Sequence, residues 1–296
     1  MTQIGEIRVA TALVLVSGVL WGFYWIPVRA LAGMGLGGAW GTAAIAGAAT
    51  LLLVPFALRG LGAAARAGLA GAVPVALGGA AFALYSIGFL YGRVALVALL
   101  YFLTPVWSVL IARVVFGLRT PPLRLVAVGV GLAGLAIMLG AGGQVPLPRG
   151  AGEWMGLIAG VLWSVSSIGI RNGPALPPPT SACVFTLGAT FTALACVPLL
   201  SGPSAGLPAD MLPAIALALG TGALWWSGAI ALLIWATARL DPARVGILLM
   251  SEVLVGATSA AAFAGEHLSP FELAGGALVL LAGALEIWPQ HRAVPI

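Results

Sequence analysis

Ten long apolar stretches occupy most of this 296-residue chain, and nearly all of its charged residues lie between them. Only 7% of the residues are charged, 61% are hydrophobic, and the mean hydropathy is +1.12. Water-soluble domains carry charges on about a quarter of their residues, so this composition is typical of a protein whose main solvent is lipid. A helix needs about 20 apolar residues to cross the hydrocarbon core of a bilayer, and each stretch is long enough for one crossing.

The pattern predicts an all-α integral membrane protein with ten transmembrane helices. Segments rich in Gly and Pro, such as "GMGLGG" and "AGGQVPLPRG", separate the apolar stretches and are expected to end the helices. The residues do not alternate between apolar and polar as they do in a transmembrane β-barrel. The predicted spans are 9–28, 39–58, 69–91, 94–116, 123–140, 153–170, 180–200, 211–236, 243–264 and 270–288.

The thirteen arginines predict the orientation, since the chain contains no lysine. With ten spans both termini lie on one side, and that side holds Arg8, Arg59, Arg66, Arg113, Arg119, Arg124, Arg171, Arg239, Arg244 and Arg292. The other side holds only Arg29, Arg93 and Arg149. By the positive-inside rule we expect both termini to be cytoplasmic and the protein to lie in the cell inner membrane. This bias accounts for the formal net charge of +5, so no nucleic-acid partner is expected.

Two segments of the chain resemble each other. Residues 15–29 ("LVSGVLWGFYWIPVR") match residues 157–171 ("LIAGVLWSVSSIGIR") at seven of fifteen positions. Each half then contains five predicted spans, so the second half enters the membrane from the opposite side. Inverted repeats of this kind form many secondary transporters, although a duplicated bundle that serves only as a scaffold is the alternative. Shorter matches join Thr120-Pro121 to Ser269-Pro270 and residues 132–134 to 281–283.

Three segments resemble the drug/metabolite transporter superfamily, of the EamA type. They are "LWGFYWIPVR" (20–29), "LLYFLTPVWSVLIARVVFGLRTP" (99–121) and "ILLMSEVLVGATSAAAFAGEHLSPFELAGGALVLLAG" (247–283). That family typically carries a Pro or Glu-Pro in the middle of spans 4 and 9, which Pro105 and Glu252 match. It also carries a Gly-Glu before the following span, which Gly265-Glu266 matches in the second half only. The chain departs from the pattern at 117–119 and at Val253.

The resemblance implies a basket-like bundle of two inverted five-helix repeats. Residues 1–142 would form the first repeat, 150–290 the second, and 291–296 a cytoplasmic tail. Spans 1 to 4 and 6 to 9 would line a central cavity, with spans 5 and 10 at the periphery. Family substrates range over amino acids, drugs, purines and sugar nucleotides. The aromatic first helix and Glu252 make the chain most similar to YddG-type aromatic amino-acid exporters.

The implied function is export of aromatic or other neutral amino acids and related small amphiphilic compounds by alternating access. One alternative is a broad-specificity drug or metabolite exporter of the same superfamily. Another is a membrane receptor or scaffold that transports nothing.

Glu252 is the only acid that falls deep within a predicted span. Placing such a group in a membrane helix costs about 2.5 to 3.5 kcal/mol, so we expect it to face a cavity. Three roles remain open for it. It could bind the ammonium group of an amino acid or a cationic drug, carry a coupling proton, or hydrogen-bond a neighbouring helix as a packing contact.

Helical spacing adds aromatic and hydroxyl side chains to the predicted cavity, the composition of a pocket for organic molecules. Together with Glu252, the predicted lining residues are Trp21, Tyr24, Trp25, Tyr85, Tyr101, Thr104, Ser108, Trp163, Ser166 and Ser259. Pro105 and Pro27 are hinge candidates because proline interrupts a helix, although a static bend is the alternative.

No enzymatic site, metal or cofactor is predicted. His267 and His291 lie outside the spans, so no serine–histidine pair is expected within the membrane. Motifs that bind nucleotides need a strand before a helix, and no strand is predicted. Every arginine lies near a span end, which disfavours phosphorylated cargo. The expected partners are the lipid bilayer and a small-molecule substrate, with protons as a candidate coupling ion.

Overall fold

The computed structural model describes residues 3–114, 122–140, 147–200, 210–237, 239–240, 245 and 248–287. The predicted tail (291–296), His291, Thr120-Pro121 and parts of predicted spans 4, 9 and 10 lie outside the described residues. The described part of the chain consists of helices and turns, with no strand. Within these residues, seven stretches are long and apolar enough to cross a membrane. The prediction of an all-helical protein is therefore confirmed, and its long apolar helices are compatible with a position in a membrane.

Thirteen α-helices are described. They are α1 (Gln3–Gly22), α2 (Trp25–Gly33), α3 (Trp40–Ala57), α4 (Leu61–Tyr91), α5 (Val94–Tyr101), α6 (Thr104–Val114), α7 (Pro122–Leu139), α8 (Ala151–Asn172), α9 (Pro178–Leu200), α10 (Met211–Thr221), α11 (Ile230–Thr237), α12 (Ser251–Ala264) and α13 (Pro270–Ile287). A 3-10 turn (Leu58–Gly60) joins α3 to α4, and a π-helical segment (Gly222–Ala229) joins α10 to α11.

Two predicted spans are each broken into two helices. Predicted span 1 comprises α1 and α2, and predicted span 4 comprises α5 and α6. Each break precedes a proline, Pro27 or Pro105, which lacks an N–H and crowds the carbonyl four residues earlier. At the second break, the Thr104 hydroxyl donates to the carbonyl oxygen of Tyr101 at 2.7 Å, which satisfies that acceptor. Both hinge candidates therefore lie at real interruptions, while motion at them stays a prediction.

The most extensive helix contacts join the first half of the chain to the second. Helix α4 packs against α8 and α9, α3 against α9, and α7 against α13. Helix α1 packs against α11 and α12, while α5 packs against α8 and α12. Because the halves interlock in this way, the space between them is bounded by helices from both.

A glycine stripe on α8 allows that helix to approach α5 and the end of α4 closely. Gly152, Gly156 and Gly160 are spaced four residues apart and so share one side of the helix. A Cβ on Gly156 would lie 2.7 Å from the carbonyl oxygen of Val97 and 3.2 Å from its Cα. Small residues at this spacing are typical of tightly packed membrane helices. The stripe sets the position of Trp163, which lies one turn beyond Gly160.

We predict that Gly156→Ala destabilises the protein, because the added methyl would collide with backbone atoms of Val97 that cannot rotate away. The expected loss of unfolding free energy is about 1–3 kcal/mol, measured by thermal unfolding of the purified protein in detergent. Gly129→Ala in α7 is the matched control, since no other described segment lies within 4 Å of its added methyl. Equal melting temperatures for the two variants would contradict the prediction.

Candidate functional site

A cavity of about 500 Å³ lies between the two halves of the chain. Pockets of this size accommodate small organic molecules. Its described lining contains one carboxylate, that of Glu252, and no arginine. The ring-bearing lining residues come from α1, α4, α5, α8, α9 and the turn after α5, and they are Trp21, Phe82, Tyr101, Phe102, Trp163 and Phe185.

Glu252 lies in the first turn of α12 and is held by a residue of the first half. The Tyr85 hydroxyl on α4 donates to Oε1 of Glu252 at 3.0 Å. Tyr85 is buried and stacks on Tyr101, with ring centroids 4.5 Å apart and an interplanar angle of 28°. The carboxylate is therefore anchored on one side by Tyr85 and contributes to the cavity wall on the other.

Phe82 is the centre of the aromatic wall. Its ring centroid lies 5.2 Å from that of Trp21, 5.8 Å from Tyr101 and 5.3 Å from Trp163. The interplanar angles of these three pairs lie between 65° and 82°. Edge-to-face contacts of this kind place the positive edge of one ring against the negative face of another. The wall can therefore hold an apolar or aromatic body, and exposed ring faces also attract cations.

A buried polar network supports the wall from behind. The Trp226 indole N–H donates to the Tyr24 hydroxyl at 3.0 Å, and the hydroxyls of Tyr24 and Ser86 lie 3.0 Å apart. The Ser86 hydroxyl also lies 2.7 Å from that of Thr42. All four side chains are buried. Because each polar group has a partner, the network avoids the free energy cost of buried, unsatisfied groups. It also joins α3, α4 and the π-helical segment to Tyr24, which directly precedes α2.

Six residues that the sequence nominated line the cavity, and they come from five helices, α1, α5, α6, α8 and α12: Trp21, Tyr101, Thr104, Pro105, Trp163 and Glu252.

The other nominated residues lie outside the described lining. Tyr85 contacts two lining residues, Glu252 and Tyr101, and Tyr24 belongs to the network behind the wall. The Trp25 indole N–H donates to the Ser259 hydroxyl at 2.9 Å. Ser166 is buried, and its hydroxyl has no hydrogen-bond partner in the described structure. Ser108 is half-buried, and Pro27 is buried.

The structure also adds residues that helical spacing did not nominate. Phe185 on α9 lines the cavity, and Trp226 contacts Phe82 with ring centroids 6.1 Å apart. Trp226 lies in the π-helical segment, where the 3.6-residue period used to assign faces does not apply. Val279, Leu280 and Gly283 show that α13 also contributes to the wall, although the resemblance implied that span 10 is peripheral.

The cavity lining extends toward one end of the molecule. Ile170 near the end of α8 and Ser181 near the start of α9 belong to it, and we call this end the Arg171 face. Helix α8 runs antiparallel to α4, because Gly152 lies beside Gly92 while Gly173 lies beside Ala70. The opposite end, where α8 begins, is named the Arg29 face.

Two ion pairs lie at the Arg29 face. Arg29 donates to Oε1 of Glu266 at 2.8 Å and to the carbonyl oxygen of Phe89 at 2.9 Å. Arg93 pairs with Glu272 and also donates to the carbonyl oxygen of His267 at 3.2 Å. The hydrogen bond to Glu272 raises the pKa of the Arg93 guanidinium above its usual value. At this end, charged side chains thus connect α2 and the end of α4 to the segment before α13 and to the first turn of α13.

Comparisons with known proteins give the fold and no family. No family model and no curated protein matches the chain. Twelve chains of solved structures match. One of them, described as "Crystal structure of protein", has 19% sequence identity and a TM-score of 0.56, covering 93% of this chain and 95% of that chain. At that identity the likeness shows the fold alone.

We predict that Tyr24→Phe destabilises the protein by about 1–3 kcal/mol, because it leaves the buried Trp226 indole N–H without its acceptor. Tyr91→Phe is the matched control, since the Tyr91 hydroxyl bonds the carbonyl oxygen of Leu200 in an exposed position. Thermal unfolding in detergent compares the two. A Tyr24→Phe variant as stable as Tyr91→Phe would show that the network contributes little.

Proposed function

We propose that this protein is a secondary transporter of the drug/metabolite transporter type. Its cargo would be aromatic or other neutral amino acids and related small amphiphilic compounds, exported across the inner membrane by alternating access. The observation that carries the proposal is the aromatic cavity between the two halves, with the Glu252 carboxylate in its wall. The lining extends toward one face, whereas ion pairs lie at the other.

Helix lengths are compatible with ten crossings. The apolar stretch Trp40–Tyr91 has 52 residues, which would span about 78 Å as one straight helix, more than twice the bilayer core. It is interrupted at Leu58–Gly60 and at Gly68, where φ is 58°, so it supplies two crossings. Two shorter apolar helices, Ser251–Ala264 and Pro270–Leu285, complete the set of ten.

The contacts between the halves support an inverted repeat. In such a repeat, α1 and α2 correspond to α8, and α4 corresponds to the segment from α10 to α11. The contact of α4 with α8 then has its counterpart in the contact of α11 with α1. The contact of α5 with α8 has its counterpart in that of α12 with α1. The pairs α3 with α9 and α7 with α13 are each their own counterpart.

Helix breaks at corresponding positions add to this support. An offset of 148 aligns Thr104, the first residue of α6, with Glu252, the second residue of α12. Helix α6 follows a break at residues 102–103, and α12 follows a turn at Met250. Both Thr104 and Glu252 line the cavity. In secondary transporters, interrupted helices at the interface of two repeats hold the substrate near the middle of the membrane.

The charge of the lining favours a cargo with an amino group. Glu252 offers one negative charge, and the described lining contains no cationic side chain. An ammonium group would pair with the carboxylate while an apolar or aromatic body contacts the rings. The same features suit a cationic amphiphilic drug or metabolite, which makes the broad-specificity exporter a second candidate. Since Glu252 is the titratable acid in this lining, a proton is a candidate coupling ion.

Flux in vesicles of purified protein tests the proposal. We expect saturable uptake of labelled tryptophan or phenylalanine, and a reduction of at least about tenfold, or about 1.4 kcal/mol, in Glu252→Gln. Glu6→Gln is the matched control, because Glu6 is exposed in the first turn of α1. If no amino acid or cationic amphiphile moves, the receptor or scaffold alternative is favoured. Flux that is unchanged in Glu252→Gln would leave this residue with a packing role.

A competition panel separates the two candidate cargoes. Tryptophan, tryptamine and indole-3-propionate share a ring system and differ in their charged groups. Because an ammonium group is expected to pair with Glu252, both amines should compete with the labelled substrate and indole-3-propionate should not. Stronger competition by tryptophan favours the amino-acid exporter, and stronger competition by tryptamine favours the broad exporter of cationic amphiphiles. Competition by indole-3-propionate alone would contradict the assigned role of the carboxylate.

A further inference from the structure

Three polar side chains recur every seven residues along and just beyond α12, and each bonds to the first half of the chain. Oε1 of Glu252 accepts from the Tyr85 hydroxyl at 3.0 Å, and the Ser259 hydroxyl accepts from the Trp25 indole N–H at 2.9 Å. Oε1 of Glu266 accepts from Arg29 at 2.8 Å. Seven residues are about two helical turns, so Glu252 and Ser259 fall on one side of α12, and Glu266 follows just after that helix ends at Ala264. We call these three contacts the polar ladder.

The polar ladder runs from the cavity to the Arg29 face. Its first contact is in the cavity wall, because Glu252 is a lining residue. Its last contact is the ion pair at that face, and fourteen residues of helix would span about 20 Å between them. Arg29 also bonds the carbonyl oxygens of Phe89 and Gly92, so the ladder ties α2, α4 and α12 together over this distance.

The contacts of the ladder differ from those that join α7 to α13. At the interface of α7 and α13, a Cβ on Gly134 would lie 2.6 Å from the carbonyl oxygen of Gly275, so backbones there are in close contact. Along the ladder, polar side chains meet instead, and such groups can exchange each other for water at small net cost. Arg29 and Glu266 are also 30% and 11% exposed, which places this pair at the edge of the water.

One atom of the ladder is unsatisfied in the closed arrangement. Oε2 of Glu266 is buried and has no hydrogen-bond partner in the described structure. A buried polar atom without a partner is costly, and separation of α12 from α2 would expose it to water. Hydrogen bonds from water to Oε2 in the open arrangement therefore offset part of the free energy needed to separate the contacts of the ladder.

We propose that the polar ladder is the gate that closes the cavity toward the Arg29 face and that it separates during the transport cycle. This inference rests on the proposed transport function. Glu252 belongs to both the ladder and the cavity, so a bound ammonium group would offset the negative charge of the carboxylate that accepts from the Tyr85 hydroxyl. Occupation of the cavity thereby weakens the innermost contact of the gate, which couples cargo binding to opening.

Thiol labelling measures whether the gate is closed. Cys183 and Cys196 are replaced by serine, and Thr104→Cys places a single thiol in the cavity wall. A membrane-impermeant maleimide is then applied from either face in vesicles of known orientation. We expect rapid labelling from the Arg171 face and slow labelling from the Arg29 face. Equal rates from the two faces would overturn the proposal.

Charge reversal tests the outermost contact. Arg29→Glu and Glu266→Arg each place like charges opposite each other, and each should raise labelling from the Arg29 face about tenfold. The double exchange, Arg29→Glu with Glu266→Arg, should lower the rate at least about threefold below that of the single variants, since it restores an ion pair. It should not reach the rate of the parent, because glutamate cannot donate to the carbonyl oxygens of Phe89 and Gly92 as Arg29 does. Unaltered labelling from the Arg171 face shows that a variant is folded. Single variants without effect, or a double exchange that labels as fast as the single variants, would overturn the gate.

Cross-linking separates failure of the gate from failure of the transport proposal. With thiols introduced by Arg29→Cys and Glu266→Cys, a reducible bifunctional reagent should stop flux, and reduction should restore it. Flux that continues across the linked gate overturns the inference while leaving transport intact. If charge reversal changes the labelling rate but the protein moves no compound, the transport proposal is overturned. The gate would then close a cavity that does not transport.

Discussion

The constraint on which this structure depends is that lipid offers no hydrogen-bond partners, so every break in a helix must be satisfied from within the protein. Both breaks at the cavity meet this requirement. The Thr104 hydroxyl bonds the carbonyl oxygen of Tyr101, and the Trp225 indole N–H bonds that of Leu20 at 2.7 Å. The irregular backbone lies where the helices of the two halves meet.

The same constraint explains why Glu252 is joined to the rest of the fold. A carboxylate in this position needs donors, and the Tyr85 hydroxyl supplies one while the cavity side remains available. Tyr85 is in turn held by stacking on Tyr101. Glu252, the residue proposed to bind cargo, thus joins α12 of the second half to α4 of the first. A change in the charge or partners of its carboxylate therefore alters the contact between the two halves.

The sequence was sufficient to predict a helical protein with long apolar helices and to nominate six of the residues that line the cavity. Low charge and long apolar stretches predicted a helical membrane protein, and Glu252 stood out because no other acid lies deep in a span. Helical spacing failed where the helix is not continuous. Trp21 lines the cavity, but Tyr24 and Trp25 follow the break near residue 23 and turn to other partners. The polar ladder was beyond sequence reasoning, because its partners are chosen by the packing of distant helices.

The π-helical segment Gly222–Ala229 determines how the helix after it faces the site. Such a segment holds more residues per turn than an α-helix and often arises at functional positions. Ile230 and Leu233 follow it directly and line the cavity. Losing one residue from the segment would rotate these side chains by about 100°, so the shape of the chamber is sensitive to the length of the chain here as well as to its composition. A family of relatives could remodel this wall by insertion or deletion without changing a single lining side chain.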